Sequence, residues 1–453
     1  MRALGFAGFL LLTAGPALAQ DPWYVQGAFK PVQRVAIQVQ NPLDVARSNS
    51  PVTIQRADLA PLHDVHELQM TLVDPRGTPN PEPSAQKQAL EGAHGQVAEA
   101  NGHAFPYQFD DLDGDGLWDE LFFMADFAPR ETRTFYVYLG MQQRGWNPHR
   151  THGAIGSYMR HTVPFWESEN IGWKLWYPTD IDVYGKRKPQ LMSHRLYTEN
   201  LDGYAVSLID PGLGSDIMSV ANSFGGGGIG LIEDPAHPEK VSRPRFGPGT
   251  TENFNGGPLS STRYAFTVVA NGPVRSMVRI RTMNWTTGVG TYDLEQVYTA
   301  YAGEDYTTAE LVFTRRPKTA TPPRLVIGVR KRATEDSFVQ QGGMVVSAGP
   351  ELIRNPDDVA RVQADMPVAY AGSAIVVRDR LAPAYAFLPA YEGNHLMTAV
   401  LPADGRFRYL LASGWSEGVT RKTAAAFTDY VRGVAREYNA PVTFTGLRQE
   451  NRP

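Results

Sequence analysis

The chain has 453 residues, a formal net charge of −4 and no cysteine. That length predicts about two domains, and the cysteine count excludes disulfides and a lipoprotein anchor. Both charge signs are mixed along the chain and basic runs are short, so nothing predicts a nucleic-acid surface.

The first elements form an export signal in the right order. Arg2 is followed by an apolar stretch from Leu4 to Leu12 and the small-x-small triplet Ala17-Leu18-Ala19. Residues 1–19 are therefore expected to be a signal peptide, with Gln20 the mature start. Export to the periplasm is expected, or release outside the cell. The apolar part falls short of the roughly 20 residues a helical span needs, and no later segment reaches that length.

Val35, Ile37 and Val39 alternate with Arg34, Ala36 and Gln38, which predicts a half-buried strand ended by Asn41-Pro42. Pro51 to Ile54, Leu68 to Val73, Leu121 to Ala125 and Thr132 to Leu139 continue a small β-sandwich over about residues 21–140. Thr78 to Gly102 is polar and is expected to be a long loop. Gln142 to Gly156, with Trp146, His149 and His152, is expected to be a linker. From about 145 to 450 the strands lengthen, with Asn271-Gly272-Pro273 as a hairpin signal. Phe427, Tyr430, Val431 and Val434 stand at helical spacing, which predicts one C-terminal helix lying on a sheet. The fold class is mainly β: a small N-terminal sandwich, then a large antiparallel β-sandwich with that helix.

Three features can carry chemistry. Asp111, Asp113, Asp115 and Asp119 alternate on a loop with Gly114 and Gly116, the oxygen cluster a hard cation such as Ca²⁺ takes. Phe122 stands where an EF-hand has its bidentate Glu and the flanks are strand-like, so the expectation is a β-hairpin loop, holding structural Ca²⁺ or simply solvated. The second feature is dense in aromatics and charges: Trp166, Glu167, Glu169, Trp173, Lys174, Asp180, Asp182, Tyr184, Lys186, Arg187, His194 and Tyr197. Alternation places Asp180, Asp182 and Tyr184 on one face of a strand, with Trp173, Leu175 and Tyr177 together on one face of another. Aromatics stack on sugars and Lys/Arg hold carboxylates; the same residues also make ordinary surface ion pairs beside a core strand. The third feature is the glycine run Gly225 to Gly228 after Asp210 to Asp216, suited to close backbone approach or to a flexible loop. No phosphate loop, dinucleotide fingerprint or nucleophile elbow is present, and no organic cofactor is expected.

The order of these motifs resembles a family of secreted bacterial proteins known as domain of unknown function 4861, found among polysaccharide-degradation systems. The resemblance rests on Asp111 to Glu120, Ala128 to Arg133, Trp166-Glu167, Ile181-Asp182-Val183 with Lys186-Arg187, Gly225 to Gly228 and Asn271 to Arg275. Ser168-Glu169 and Lys174 depart from the family pattern, which has Asn-Asp and Arg there. The resemblance implies a galactose-mutarotase-like supersandwich and work on acidic polysaccharides. From the residues, β-elimination at a uronate needs a cation for the carboxylate, a base and an acid. Lys186 and Arg187 are the candidate cations. His194 and Tyr197 are the candidate base and acid. Lys174 and Asp182 are candidates to orient them, and Trp166, Trp173 and Tyr184 to stack on the sugar. His149, His152 and His161 are alternatives to His194. Glu167 and Glu169 would serve a hydrolase, and the same groups would serve a glycan-binding protein without turnover.

Overall fold

The computed structural model describes residues 21–25, 29–76, 101–142, 147–158, 161–176, 180–198, 212–218, 220, 223–245, 260–354, 364–390 and 393–453. The segment expected to be a signal peptide and nearly all of the expected loop from Thr78 to Gly102 lie outside these, as do Trp146 and Tyr177.

The fold is mainly antiparallel β. A five-stranded sheet runs Thr443–Asn451, Gln33–Gln40, Thr132–Leu139, Met70–Asp74, His103–Ala104. It packs on a three-stranded sheet of Arg47–Gln55, Glu120–Phe127 and Tyr107–Asp110, with Val35, Ile37, Val52, Leu121 and Phe135 in the seam. The outermost strand comes from the far C-terminus, which the sequence places with the larger domain. That pairing gives Gln33–Gln40 two strand neighbours. Its second face is partly covered as well: Arg34 is buried, lies 3.8 Å from the Tyr136 ring centroid and pairs with Glu450 at 2.7 Å. The alternation seen in sequence therefore separates the core from a face that is closed at Arg34 and Ala36 and open at Gln38.

The larger part has an eight-stranded antiparallel sheet from Arg263–Asn271 to Ser337–Gln341. Facing it are two five-stranded sheets. One runs Gly214–Asp216, Asp180–Lys186, Ile171–Trp176, His161–Ser168, Thr151–Tyr158; the other runs Val241–Ser242, Gly228–Ile232, Arg324–Arg330, Asn394–Val400, Ala384–Leu388. The strand Thr151–Tyr158 occupies part of what the sequence marks as linker. Phe427, Val431 and Val434 of the helix Ala424–Asn439 cover the far face of the eight-stranded sheet, as their spacing predicts.

The glycine run joins the two five-stranded sheets. Gly225 bridges Ile181, and Gly226 N–H donates to the Ile181 carbonyl at 2.7 Å. Gly225 has φ +60°, and a Cβ on it would lie 2.6 Å from that same carbonyl oxygen. Close approach between strands is the use these glycines have. The hairpin at Gly272 docks the small sandwich: Gln108 accepts from Arg275 N–H at 2.9 Å, and Arg275 pairs with Asp110 and, at 2.8 Å, with Glu120.

Candidate functional site

Period-2 alternation divides the aromatic–charged cluster between two faces of one sheet. Trp166, Trp173, Ile181 and Val183 point inward and belong to the main core. Trp166 is fully buried and stacks on Tyr298 with ring centroids 4.5 Å apart. Trp173 is also fully buried. Neither offers a ring face to a sugar, so the stacking role expected for them does not hold. Their apolar surface is worth more in the sandwich seam than in water.

The outer face carries the polar residues. Strand register aligns His152 with Glu167, Glu167 with Gly172, Gly172 with Tyr184 and Tyr184 with Asp216. Two residues along, Lys174 stands opposite Asp182. Phe165, Tyr184, Met192 and Leu213 form an apolar ridge across this face, leaving a polar group on either side.

The first group centres on Glu167 and Lys186, both fully buried and paired with each other. Lys186 Nζ also donates to the carbonyls of Ser168 and, at 2.8 Å, of Gln190. Glu167 accepts the backbone N–H of Met192 at 2.9 Å and of Ser193 at 2.9 Å. All three ammonium protons and both carboxylate oxygens are spent inside the protein. Lys186 therefore has no donor left for a substrate carboxylate, and both Glu167 oxygens already accept from Lys186, Met192 and Ser193. Burial pushes the Lys186 pKa down and Glu167 pulls against it. Arg187, the first residue past the strand, turns elsewhere: its Nη2 donates to Met366 Sδ at 3.1 Å and its guanidinium lies 5.4 Å from the Trp415 ring. With the Lys186 ammonium spent on Glu167, Ser168 and Gln190, the two cations do not clasp one carboxylate.

The Glu167 contacts fix the start of the short helix Ser193–Thr198. His194 sits on it and is exposed. His152 Nδ1 lies 2.5 Å from Ser193 Oγ, and burial lowers the His152 pKa, with Glu167 opposing and His194 and His149 adding to the fall. Tyr197 lies in the same helix, its side chain outside the described residues, as is that of His161.

The second group is Lys174, Asp182, Tyr184 and Asp216. Lys174 Nζ is 2.9 Å from Asp182 Oδ2 and donates to Tyr184 Oη at 2.9 Å. The ammonium also lies 4.4 Å from the Trp176 ring centroid. Asp182 Oδ1 is buried and has no hydrogen-bond partner. Asp216 Oδ1 accepts from Met218 N–H at 3.0 Å. Burial first, then the Asp182 charge, raises the Asp216 pKa well above that of an exposed aspartate. Burial raises Asp182 too, against the pull of Lys174. Two carboxyls thus stand near one ammonium, and burial raises both, the one without the lysine contact the more. Asp216 was missed in sequence, although it closes the glycine-rich stretch from Asp210 to Asp216.

In the small sandwich, the Asp111 loop joins two strands, as its flanks predict. Carboxylate oxygens of Asp111, Asp113 and Asp115 lie within 4.8 Å of one another. Asp119 does not join them: its Oδ2 accepts from Leu112 N–H at 2.7 Å and its own N–H donates to Asp110, closing the base of the hairpin. Asp111 accepts from Gly114 and Gly116 N–H at 2.7 and 2.8 Å, which lowers its pKa. Among the described residues no helix is long and apolar enough to cross a membrane.

The model of the family described as Domain of unknown function (DUF4861) matches residues 39–444. The chain belongs to this family. No curated protein matches it. Two solved structures from Enterococcus faecalis align with it, an alpha-mannosidase and a protein in glycosyl hydrolase family 38. Each is 11% identical over 93% of this chain, with TM-scores of 0.46 and 0.45. The alignments take in 46% and 48% of those chains, so this one spans about half their length. Neither likeness bears on what the family member does.

Proposed function

We propose that the chain is an exported, carbohydrate-active enzyme that cleaves or dehydrates uronic-acid-containing oligosaccharides by β-elimination. The observation that carries this reading is the unpartnered Asp182 Oδ1 beside Lys174, with Asp216, whose pKa burial raises, on the neighbouring strand. A buried carboxylate oxygen without a donor is costly, and a substrate group is one way to satisfy it. In the proposed reaction Asp182 takes the proton at C5, and the electron pair moves toward the sugar carboxylate. Lys174, with Tyr184 beside it, stabilises the charge that develops there. The C4–O bond then breaks, and Asp216 gives its proton to the departing oxygen. His152 and His194, across the Phe165–Tyr184 ridge, would hold the next sugar of an acidic chain. The N-terminal segment supports delivery to the periplasm. Asp111, Asp113 and Asp115 supply the hard oxygen donors that Ca²⁺ prefers, in a structural role far from this chemistry.

The test is incubation with uronate oligosaccharides, followed by ultraviolet absorbance and mass spectrometry. Elimination yields a conjugated 4,5-unsaturated product. Cleavage with water added and no unsaturation would instead assign Asp182 and Asp216 to hydrolysis, as a carboxylate pair also permits. Binding with no change of mass would leave a glycan-binding protein.

A further inference from the structure

A second polar–aromatic cluster lies at the open edge of the large sandwich, away from the face described above. Edge strands of the two facing layers meet there: Ser337–Gln341 from the eight-stranded sheet and Ala384–Leu388 from the five-stranded one. Between them His395 is almost fully buried, with Nε2 2.7 Å from Glu335 Oε1 and Nδ1 3.0 Å from Tyr385 Oη. Ser347 donates to the same Glu335 oxygen at 2.6 Å. A carboxylate only accepts, so Nε2 carries the proton facing Glu335. Burial lowers the His395 pKa, which leaves Nδ1 a lone pair and makes it the acceptor of the Tyr385 proton. The Tyr385 oxygen is then fixed as an acceptor toward anything outside.

Around this relay stand rings that the fold leaves uncovered. Phe338 is 43% exposed and Phe387 46% exposed, and their centroids lie 4.6 and 5.6 Å from the His395 ring. Two half-exposed phenylalanines on edge strands are a liability unless something uses them. A ligand that fits needs an apolar face for the rings and a hydroxyl donor at its rim for Tyr385. A pyranose ring has both.

The geometry points to the Phe338–Phe387 edge as a sugar-binding site, with the Tyr385 oxygen, oriented through His395 and Glu335, accepting a hydroxyl of the bound ring. It is independent of the elimination chemistry, since no residue is shared. Saturation-transfer difference NMR tests it, using the neutral disaccharides cellobiose, mannobiose and xylobiose as probes and irradiation of the protein's aromatic protons. Transfer to at least one disaccharide is expected. The double variant Phe338→Ala/Phe387→Ala should abolish it, and Tyr385→Phe should weaken binding about tenfold, the loss typical of one removed hydrogen bond. Both changes lie at a partly exposed edge, and thermal melts should show native-like folding. Asp216→Asn should bind these probes as the parent does at this edge, so failure of the elimination reading leaves this result standing. The proposal is overturned if no probe receives transfer, or if the double variant binds unchanged. It is also overturned if that variant converts a dimer to a monomer in sedimentation, because a second copy would then be what covers the rings.

Discussion

The two polar groups on the outer face of one sheet differ in what is left over. Glu167 and Lys186 use every donor and acceptor they have on each other and on the backbone of Ser168, Gln190, Met192 and Ser193. Lys174 and Asp182 make a similarly buried pair but leave Oδ1 without a partner, beside a carboxyl whose pKa burial raises. A satisfied ion pair is scaffold, whereas an unsatisfied one next to a displaced pKa is where chemistry concentrates. Side-chain type alone does not separate them, since each has one lysine and one acid.

The sharpest way to break the comparison is to remove one partner of the satisfied pair. Glu167→Ala leaves the Lys186 ammonium buried and two backbone N–H groups unpaired. Denaturant unfolding should show a loss of roughly 3–5 kcal/mol. Replacing both residues with methionine should recover part of it, because no buried charge is stranded although the two backbone N–H groups stay unpaired. If the double variant also keeps parental turnover, the scaffold assignment stands. Loss of turnover in a folded double variant would move the pair into the chemistry.

The unsatisfied group should respond in the opposite sense. A raised folded-state pKa means that, between the unfolded and folded values, folded Asp216 holds a proton the unfolded chain has released. Its contribution to stability is fully present below the unfolded value and declines as pH climbs toward the folded one. Asp216→Asn removes that decline, so the variant should be more stable than the parent at pH 7 and above, and less sensitive to pH. Turnover should nonetheless fall by about 10²–10⁴, the usual worth of a general acid. A stabilised protein with full activity would remove Asp216 from the mechanism.

His194 offers a smaller effect on the same face. It is exposed beside the scaffold pair, across the apolar ridge from Lys174. His194→Ala should raise KM several-fold and leave kcat near the parental value, the pattern of lost uniform binding. A collapse of kcat instead would make His194 the base and demote Asp182.

These contrasts also show how far the sequence could be read. Alternation grouped Asp180, Asp182 and Tyr184 correctly on a face, and helical spacing found the packed stripe of Ala424–Asn439. Both are short-range patterns with a fixed period. What alternation cannot supply is which face is covered. Trp173 and Lys174 are neighbours in one strand, and only the eight-stranded sheet packing on one side makes the first core and leaves the second facing Asp182. Cross-strand register is equally hidden: Tyr184 meets Asp216 through a chain excursion of some thirty residues, and Gln33 meets Asn451 at opposite ends of the chain. Lys186 looked like a carboxylate ligand because its acceptors come from two places, Glu167 and Ser168 on a neighbouring strand and Gln190 just past its own, neither of which marks itself as a lysine pocket.

The Asp111 loop extends the comparison to the surface and should give the smallest response. Its carboxylates are partly served already: Asp111 accepts two glycine N–H groups, Asp113 accepts from Asp115 N–H at 3.1 Å, and Asp115 from Leu117 N–H at 2.8 Å. The loop therefore holds its shape through backbone donors, and a cation adds to an arrangement that is formed. Calcium at ten times its dissociation constant would stabilise the fold by about 1.4 kcal/mol if only the folded state binds. In a chain of this size that is a rise in melting temperature of about 1–2 °C. Excess EGTA should reverse the shift, and Asp113→Asn should abolish it while leaving turnover unchanged. A melting temperature indifferent to calcium would mean the three aspartates are a solvated turn. A turnover that follows calcium would mean the loop communicates with the eight-stranded sheet, where Arg279 Nη2 donates to the Leu112 carbonyl at 2.7 Å.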